Sequence, residues 1–348
     1  MNRLLNSNGA GFHTFISMNK AFFLCFLLSI LAFSCTKKEA NLTRKTSGEI
    51  NTIAVIIDDP LWNGEIGDSI RNKFASPVIG LPEEEPMFTI NQYPVKLLEG
   101  FAMDNRAILV IKKESKKSFT IRKNQFATPQ NSFHISGKTV AEIVEFIEKY
   151  SPKIIQSIQQ GEILESQRIQ TKSALLFSMI KKQFHVSLQV PSEFELVMQK
   201  SNFIWLKKNS SSGSSNLLVY QLPLTIIKHN AVSSSIQIMR DSIGKYIEGT
   251  EPSTHMINDK GYTPYFFKTK LDNQLTYETR GTWQLQNDYM SGPYINYTII
   301  DFPNKRVLVL EGFCYSPSKE KRNSMHELDA IMQSVHLFKN NTFTPHKH

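Results

Sequence analysis

The sequence predicts an α+β protein of two α/β sandwich-like domains joined by a long helix, the second domain being an antiparallel sheet backed by helices. Three observations carry that reading. Residues 51–150 alternate strand and helix patterns, residues 151–184 keep helical spacing, and residues 185–339 are a run of strands with two helices among them. A chain of 348 residues is long enough for two packed cores and short for three. With 41% hydrophobic and 20% charged residues, it falls outside the collagen-like, disordered and polytopic membrane classes.

The first element is a leader. Behind Met18, Asn19 and Lys20 comes the apolar run Ala21 to Phe33, whose 13 residues would rise about 20 Å as a helix, short of the roughly 30 Å of a bilayer core. A positive start, an apolar run and a small residue before the cut predict a cleaved secretory signal over residues 1–34, with translation starting at Met1 or Met18. Ser34-Cys35 resembles a bacterial lipobox, which implies that Cys35 takes the lipid and becomes the mature N-terminus. Phe33 is bulkier than lipoboxes usually carry. Two or more acyl chains hold a protein stably on a bilayer, so the chain is expected to be anchored and not spanning. Residues 35–50 are polar and charged and predict a flexible lipidated tether. Cys25 falls in the leader, which leaves Cys314 alone in the mature chain with no disulfide partner. The alternation Val307, Val309, Leu310, Phe313 around it predicts a buried small hydrophobe.

The first domain opens with a strand at Thr52 to Ile57, apolar throughout and so expected to be covered on both faces. Asn63 to Ala75 follows as a helix, with Ile66, Ile70 and Phe74 on one side and Ser76-Pro77 as its stop. The proline-bracketed Gly80 to Pro86 is a loop. Strands at Met87 to Gln92, Ala107 to Lys112, Phe119 to Ala127 and Ser132 to Ser136 lead to a helix from Thr139 to Tyr150. Ser151-Pro152 then has the form of a fresh helix entry, cap followed by proline. From it the linking helix runs to Phe184, with Gly161 as a candidate bend.

The second domain is expected to contain strands at Val186 to Val190, Phe194 to Met198, Phe203 to Lys207 and Leu217 to Leu222, with Ser210 to Ser215 a flexible hairpin tip. A helix over Val232 to Tyr246 precedes strands at Tyr265 to Lys270, Leu275 to Trp283, Tyr294 to Asp301 and Arg306 to Tyr315. Lys319 to Val335 closes the fold as a helix, with Leu328, Ile331, Met332 and Val335 inward. The tail 340–348 is expected to be disordered.

Several strings together resemble an uncharacterised domain-of-unknown-function family of Bacteroidetes lipoproteins: Gly80-Leu81-Pro82-Glu83-Glu84-Glu85-Pro86-Met87-Phe88, Arg280-Gly281-Thr282-Trp283, Ser291-Gly292-Pro293-Tyr294, Glu311-Gly312-Phe313-Cys314-Tyr315-Ser316-Pro317, Lys321-Arg322 and Glu327-Leu328-Asp329-Ala330-Ile331. Ser291 and His326 stand where that pattern has Gly and Arg. The resemblance implies an envelope lipoprotein and no particular activity. The second domain is also similar to PsbP-like α/β/α sandwiches, through the strand ending at Val190-Pro191 and the closing strand and helix. Such folds serve mostly as accessory and assembly factors.

No motif for nucleophilic catalysis, phosphate cradling or metal binding occurs, and the nine histidines are scattered, so neither a metal nor a cofactor is expected. Asp58 and Asp59 end a strand, where α/β proteins often place reactive carboxylates, and the run Glu83 to Glu85 is a candidate for the same edge. Arg280 and Trp283 lie on one strand. Arg280 is expected to pair with Glu278 or Glu311, and the indole to stack on a ligand or fill the core. Glu311 interrupts an apolar strand and so needs a partner or a function, the main expectation being an Arg280–Glu311 ion pair. Lys112, Lys113, Lys116, Lys117, Arg122 and Lys123 form a basic hairpin that would suit anionic headgroups, while an exported chain has no nucleic acid to meet.

The expected partners are the membrane, through the anchor, and an envelope protein; the sequence identifies no small-molecule ligand. Thr36-Lys37-Lys38-Glu39 lacks the acidic run that marks surface export in the lipoproteins this chain resembles, so the resemblance implies the outer membrane facing the periplasm. The chain is expected to be a non-catalytic binding or assembly accessory. The alternatives are an envelope hydrolase using Asp58, Asp59 or Glu311, or a carrier of a hydrophobic ligand between the domains.

Overall fold

The run Thr-Ile-Ala-Val-Ile, apolar on both faces of a pleat, forms a completely buried strand, Thr52–Ile56 (β1). The computed structural model describes residues 44–338 apart from 98, 99 and 250. The leader, Cys35 and the tail 340–348 lie outside the described residues. After β1 come a single helical turn at Asp59–Trp62, helix α1 (Glu65–Phe74) and the strands β2 (Thr89–Tyr93), β3 (Ala107–Lys113), β4 (Ser118–Lys123) and β5 (Asn131–Gly137). Their order is β2-β1-β3-β5-β4, with β4 antiparallel and the rest parallel. Val55, Leu109 and Phe133 pack on Ile66, Ile70 and Phe74 of α1 and on Ile143, Ile147, Ile154 and Ile158 of the next helix. The opposite face is thinner, Ala54, Ile56, Ile108 and Val110 meeting Ala102, Tyr93, Val95 and Phe126.

That next helix, α2 (Val140–Ile169), corrects the sequence reading. Thr139 caps it by accepting from the Glu142 N–H, but the helix does not restart at Ser151. Pro152 lies inside it and has no N–H to give the Glu148 carbonyl; the Ser151 hydroxyl gives that carbonyl a hydrogen bond at 3.4 Å instead. The chain breaks at Gln170, and Ser173 caps a separate helix α3 (Ala174–Phe184). The expected single linking helix over 151–184 is therefore the second half of α2 plus α3.

The tether also differs from expectation. From Arg44 on it is docked, Arg44–Lys45 pairing in parallel with Ala127–Thr128. Arg106 fixes the segment by donating to the carbonyls of Gly48 and Glu49 at 2.8 and 2.7 Å.

The second sheet is antiparallel throughout. It comprises β6 (Glu195–Lys200), β7 (Phe203–Ser210), β8 (Gly213–Pro223), β9 (Met256–Asn258), β10 (Tyr265–Leu271), β11 (Gln274–Leu285), β12 (Ser291–Asp301) and β13 (Arg306–Tyr315), with helix α4 (Val232–Gly244) between β8 and β9 and helix α5 (Arg322–Gln333) at the end. The order is β9-β11-β12-β13-β8-β7-β6, with β10 also on β11. One face packs under α3 and α5, the other under Ile236, Met239 and Ile243 of α4. The serine-rich tip is ordered almost to its end, the ladder running to Ser210↔Gly213. The strand expected at Val186 to Val190 shrinks to Val186–Ser187, because Val186, Leu188 and Val190 are buried by packing and the Gln189 N–H is taken by the Ser334 hydroxyl. Among the described residues no helix is long and apolar enough to cross a membrane.

Candidate functional site

Where α5 begins, the acidic loop is put to structural use. The Glu85 carboxylate, 6% exposed, accepts from the N–H groups of Lys321 and Arg322 at 2.7 and 2.8 Å, an anion on the positive end of a helix. Asp58 and Asp59 do not share its edge. They follow the C-terminal end of β1, whereas Glu83 to Glu85 precede the N-terminal end of the parallel β2. Both aspartates are exposed, Asp58 accepting from the Val95 N–H and Asp59 from the Gln92 amide.

Strand register decides the rest. Arg280 stands opposite Ile295 and then Gly312, while Glu311 stands opposite Asn296 and then Thr279. One residue out of step in a pleat means opposite faces of the sheet, so the expected Arg280–Glu311 pair does not form. Glu311 turns toward α4 and is paired with Arg240 at 2.8 Å, both side chains 1% exposed. Asn296 adds a 2.7 Å hydrogen bond to the carboxylate, and Arg240 stacks 3.2 Å over the Tyr294 ring. Burial opposes the guanidinium charge, but Glu311 outweighs it and the Arg240 pKa rises. Trp283 is core as well: its indole donates to the Cys314 carbonyl at 3.3 Å and meets Phe313 edge-on. The Cys314 thiol is pushed up to about 12, chiefly by burial, and is inert at neutral pH.

Arg280 turns toward α5. Its Nε donates to Glu278 at 2.5 Å and one Nη to Asp329 at 2.9 Å. Asp329 also accepts from the Tyr297 hydroxyl at 2.7 Å and the Gln333 amide at 2.8 Å. Burial works against the Arg280 charge, yet Asp329 and then Glu278 hold its pKa up. The Gly80 loop closes over it; with φ +92° at Gly80, a side chain would strain the turn and bring a Cβ within 2.7 Å of the Arg280 Cβ.

These groups floor a cleft of about 490 Å³ between the two sheets. Arg322 forms part of its wall, 7% exposed, and among the described residues its guanidinium donates to neutral oxygens alone: the Asn323 amide, the Pro86 carbonyl and the Thr89 hydroxyl. His326 bonds Ser166 at 2.9 Å, and burial lowers its pKa. Val78, Ile79, Met87 and Phe267 supply an apolar side. Both cleft carboxylates are neutralised by Arg280, while the second Nη of Arg280 has no hydrogen-bond partner among the described residues. Among the described residues the cleft thus has cationic donors to spare and no unengaged carboxylate. Among the described residues no group of three or more His, Cys, Asp or Glu is placed to hold a metal.

Of the residues singled out from sequence, Arg280 lines this cleft together with Glu278, the first of its two expected partners, whereas Asp58, Asp59, Trp283 and Glu311 do not. Asp329 and Arg322 lay in strings noted for resemblance but carried no assigned role. Arg240 was overlooked, although a charged residue beside Met239 on the apolar side of α4 was a signal.

Residues 46–171 match Domain of unknown function (DUF8532), and residues 173–334 match Domain of unknown function (DUF4837). Both halves of the chain thus match uncharacterised families. The two matches meet at the break between α2 and α3. No curated protein matches the chain. Similar solved structures include the Saccharomyces cerevisiae Ran-binding protein Mog1p, at 7% identity over 44% of this chain and 89% of that one with a TM-score of 0.31. Others are Mycobacterium tuberculosis LpqN, involved in cell envelope biogenesis (11% identity, 43% and 81% covered, TM-score 0.26), and human StAR-related lipid transfer protein 5 (8%, 51% and 96%, 0.22). At these TM-scores the likenesses bear on neither fold nor function.

Proposed function

We propose that this chain is a lipid-anchored, non-catalytic binding accessory of the cell envelope, facing the periplasm from the outer membrane, and that the cleft between the sheets seats a ligand with a carboxylate beside an apolar body. The observation that carries the seat is Arg322, a nearly buried cation whose acceptors among the described residues are all neutral. Such a charge is costly unless an anion completes its shell. The leader, Cys35 and the resemblance to Bacteroidetes lipoproteins support the anchor, and helices on both faces of the second sheet support the PsbP-like resemblance. The hydrolase reading loses its residues: Glu311 is sealed against Arg240, and neither Asp58 nor Asp59 lines the cleft. A purely hydrophobic cargo would leave Arg322 without a counter-charge.

Two outcomes are expected. Cys35→Ala should abolish incorporation of labelled palmitate into the protein in growing cells; a variant that still takes up the label, or an unaltered protein that takes up none, contradicts the anchor. N-acetyl-phenylalanine should bind the folded protein roughly tenfold or more tighter than its uncharged amide, the difference a charge-assisted hydrogen bond makes. Arg322→Gln should erase that preference, and Lys268→Gln, at the cleft rim, should reduce it less. Equal affinity for acid and amide in the unaltered protein rules the seat out.

A further inference from the structure

The face of the first sheet that lies away from α1 and α2 carries a second cavity, of about 230 Å³, over β3, β5 and β4. Register puts its side chains in rows. Lys112, Ser136 and Ser118 form one; Val110, His134 and Thr120 the next; and Ser132 stands beside Arg122 in the third. Their neighbours Ile111, Phe119, Ile121, Phe133 and Ile135 point the other way, into the core. Parallel strands are ordinarily covered on both faces, yet the apolar cover from Ala102, Tyr93, Val95 and Phe126 rests on β1 and β3, and no apolar cluster of the described residues extends it over β5 and β4.

The basic hairpin expected from sequence is divided by this arrangement. Lys117 is committed to Glu145 at 2.7 Å. Lys112 and Arg122 line the cavity together with one carboxylate, Glu114, and among the described residues neither cation is within salt-bridge distance of an acid. His134 lies between them, its Nε2 2.8 Å from the Ser132 hydroxyl and 2.9 Å from the Gln125 amide oxygen. We propose that this face is a binding site for a phosphate group, with Lys112 and Arg122 supplying the charge and His134 and the neighbouring hydroxyls the remaining hydrogen bonds. Phosphate presents three strong acceptors, which suits cations arriving from two strands with polar groups between them. The site is independent of the cleft at Arg280 and Arg322.

The electrostatics agree. The His134 pKa is pushed down to about 4, first by burial and then by Arg122 and Lys112, with Glu114 the opposing acid. A bound anion offsets those two cations, so occupancy must raise the His134 pKa.

The test is an NMR titration of the His134 imidazole in the full chain between pH 3 and 8, in sodium phosphate and in sodium chloride at matched ionic strength, the signal being assigned by its loss in His134→Asn. In chloride the midpoint is expected near 4, set first by burial and then by Arg122 and Lys112 against the opposing Glu114. Phosphate should raise it by roughly a unit or more, the scale on which a neighbouring opposite charge acts. In Lys112→Gln/Arg122→Gln the chloride midpoint should rise and the phosphate effect disappear. Identical midpoints in the two salts, or an undiminished phosphate effect in the double variant, overturn the proposal. Vesicles of phosphatidylglycerol then separate the sources. Pelleting that inorganic phosphate competes away and the double variant lacks makes the ligand a lipid headgroup; a phosphate effect without pelleting makes it a soluble phosphate ester.

Discussion

Glu311→Ala is expected to destabilise the protein by about 3–5 kcal/mol, the cost of stranding a buried charge, which for a chain of this size lowers the melting temperature by on the order of 10 °C. Arg240 is the charge left behind. It is 1% exposed and loses both its Nε and Nη2 bonds to the carboxylate, and Asn296 and Tyr220 lose their acceptor with it. Arg240→Ala should cost a similar amount by leaving Glu311 alone in an apolar strand. The combined replacement Arg240→Met with Glu311→Leu should recover much of the loss, since it removes both desolvation penalties together. Thermal melts of the three variants decide it, and single variants as stable as the unaltered protein contradict the buried pair. Because neither residue lines the cleft, preference for the acid over the amide should survive in whatever fraction remains folded.

Arg280→Ala is expected to be the second largest loss, about 2–4 kcal/mol. It removes the cation that, among the described residues, neutralises Glu278 and Asp329, and the Tyr297 hydroxyl and Gln333 amide are left on an uncompensated carboxylate. Arg280→Lys should recover only part of it, because an ammonium cannot give two directed donors to carboxylates on different elements. This change differs from Glu311→Ala in its second effect. Two bare carboxylates in the cleft should repel an acidic ligand, so the acid should bind no better than the amide. A stable Arg280→Ala protein that keeps the preference would show that Arg280 neither holds the cleft nor serves it.

Legibility followed the range of each signal. The buried strand β1, the Ile66, Ile70 and Phe74 side of α1 and the strand around Cys314 announce themselves through periods of a few residues, and they stand where the sequence places them. The Arg280–Glu311 pairing failed because face assignment depends on which residues of β11, β12 and β13 stand opposite one another, and that is set by pairing across the sheet. Ser151-Pro152 has the form of a helix start, yet the helix runs through it, the Ser151 hydroxyl taking the Glu148 carbonyl that Pro152 leaves without an N–H. The docked tether depends on Arg106, 57 and 58 residues from the carbonyls it binds. The acidic loop showed its charge in the sequence, but its role required α5 to begin beside it.

The central claim is that the cleft, with Arg322 in its wall, is where a carboxylate ligand sits. The measurement that tests it most directly is NMR mapping of the full chain during titration with N-acetyl-phenylalanine, read at arginine Nε–H and side-chain methyl signals. The account predicts that Arg322, Arg280, Ile79 and Met325 shift with one common dissociation constant while Arg240 and Val309 stay still. Shifts that leave Arg322 and Arg280 unmoved, or that spread evenly over the surface, would contradict it.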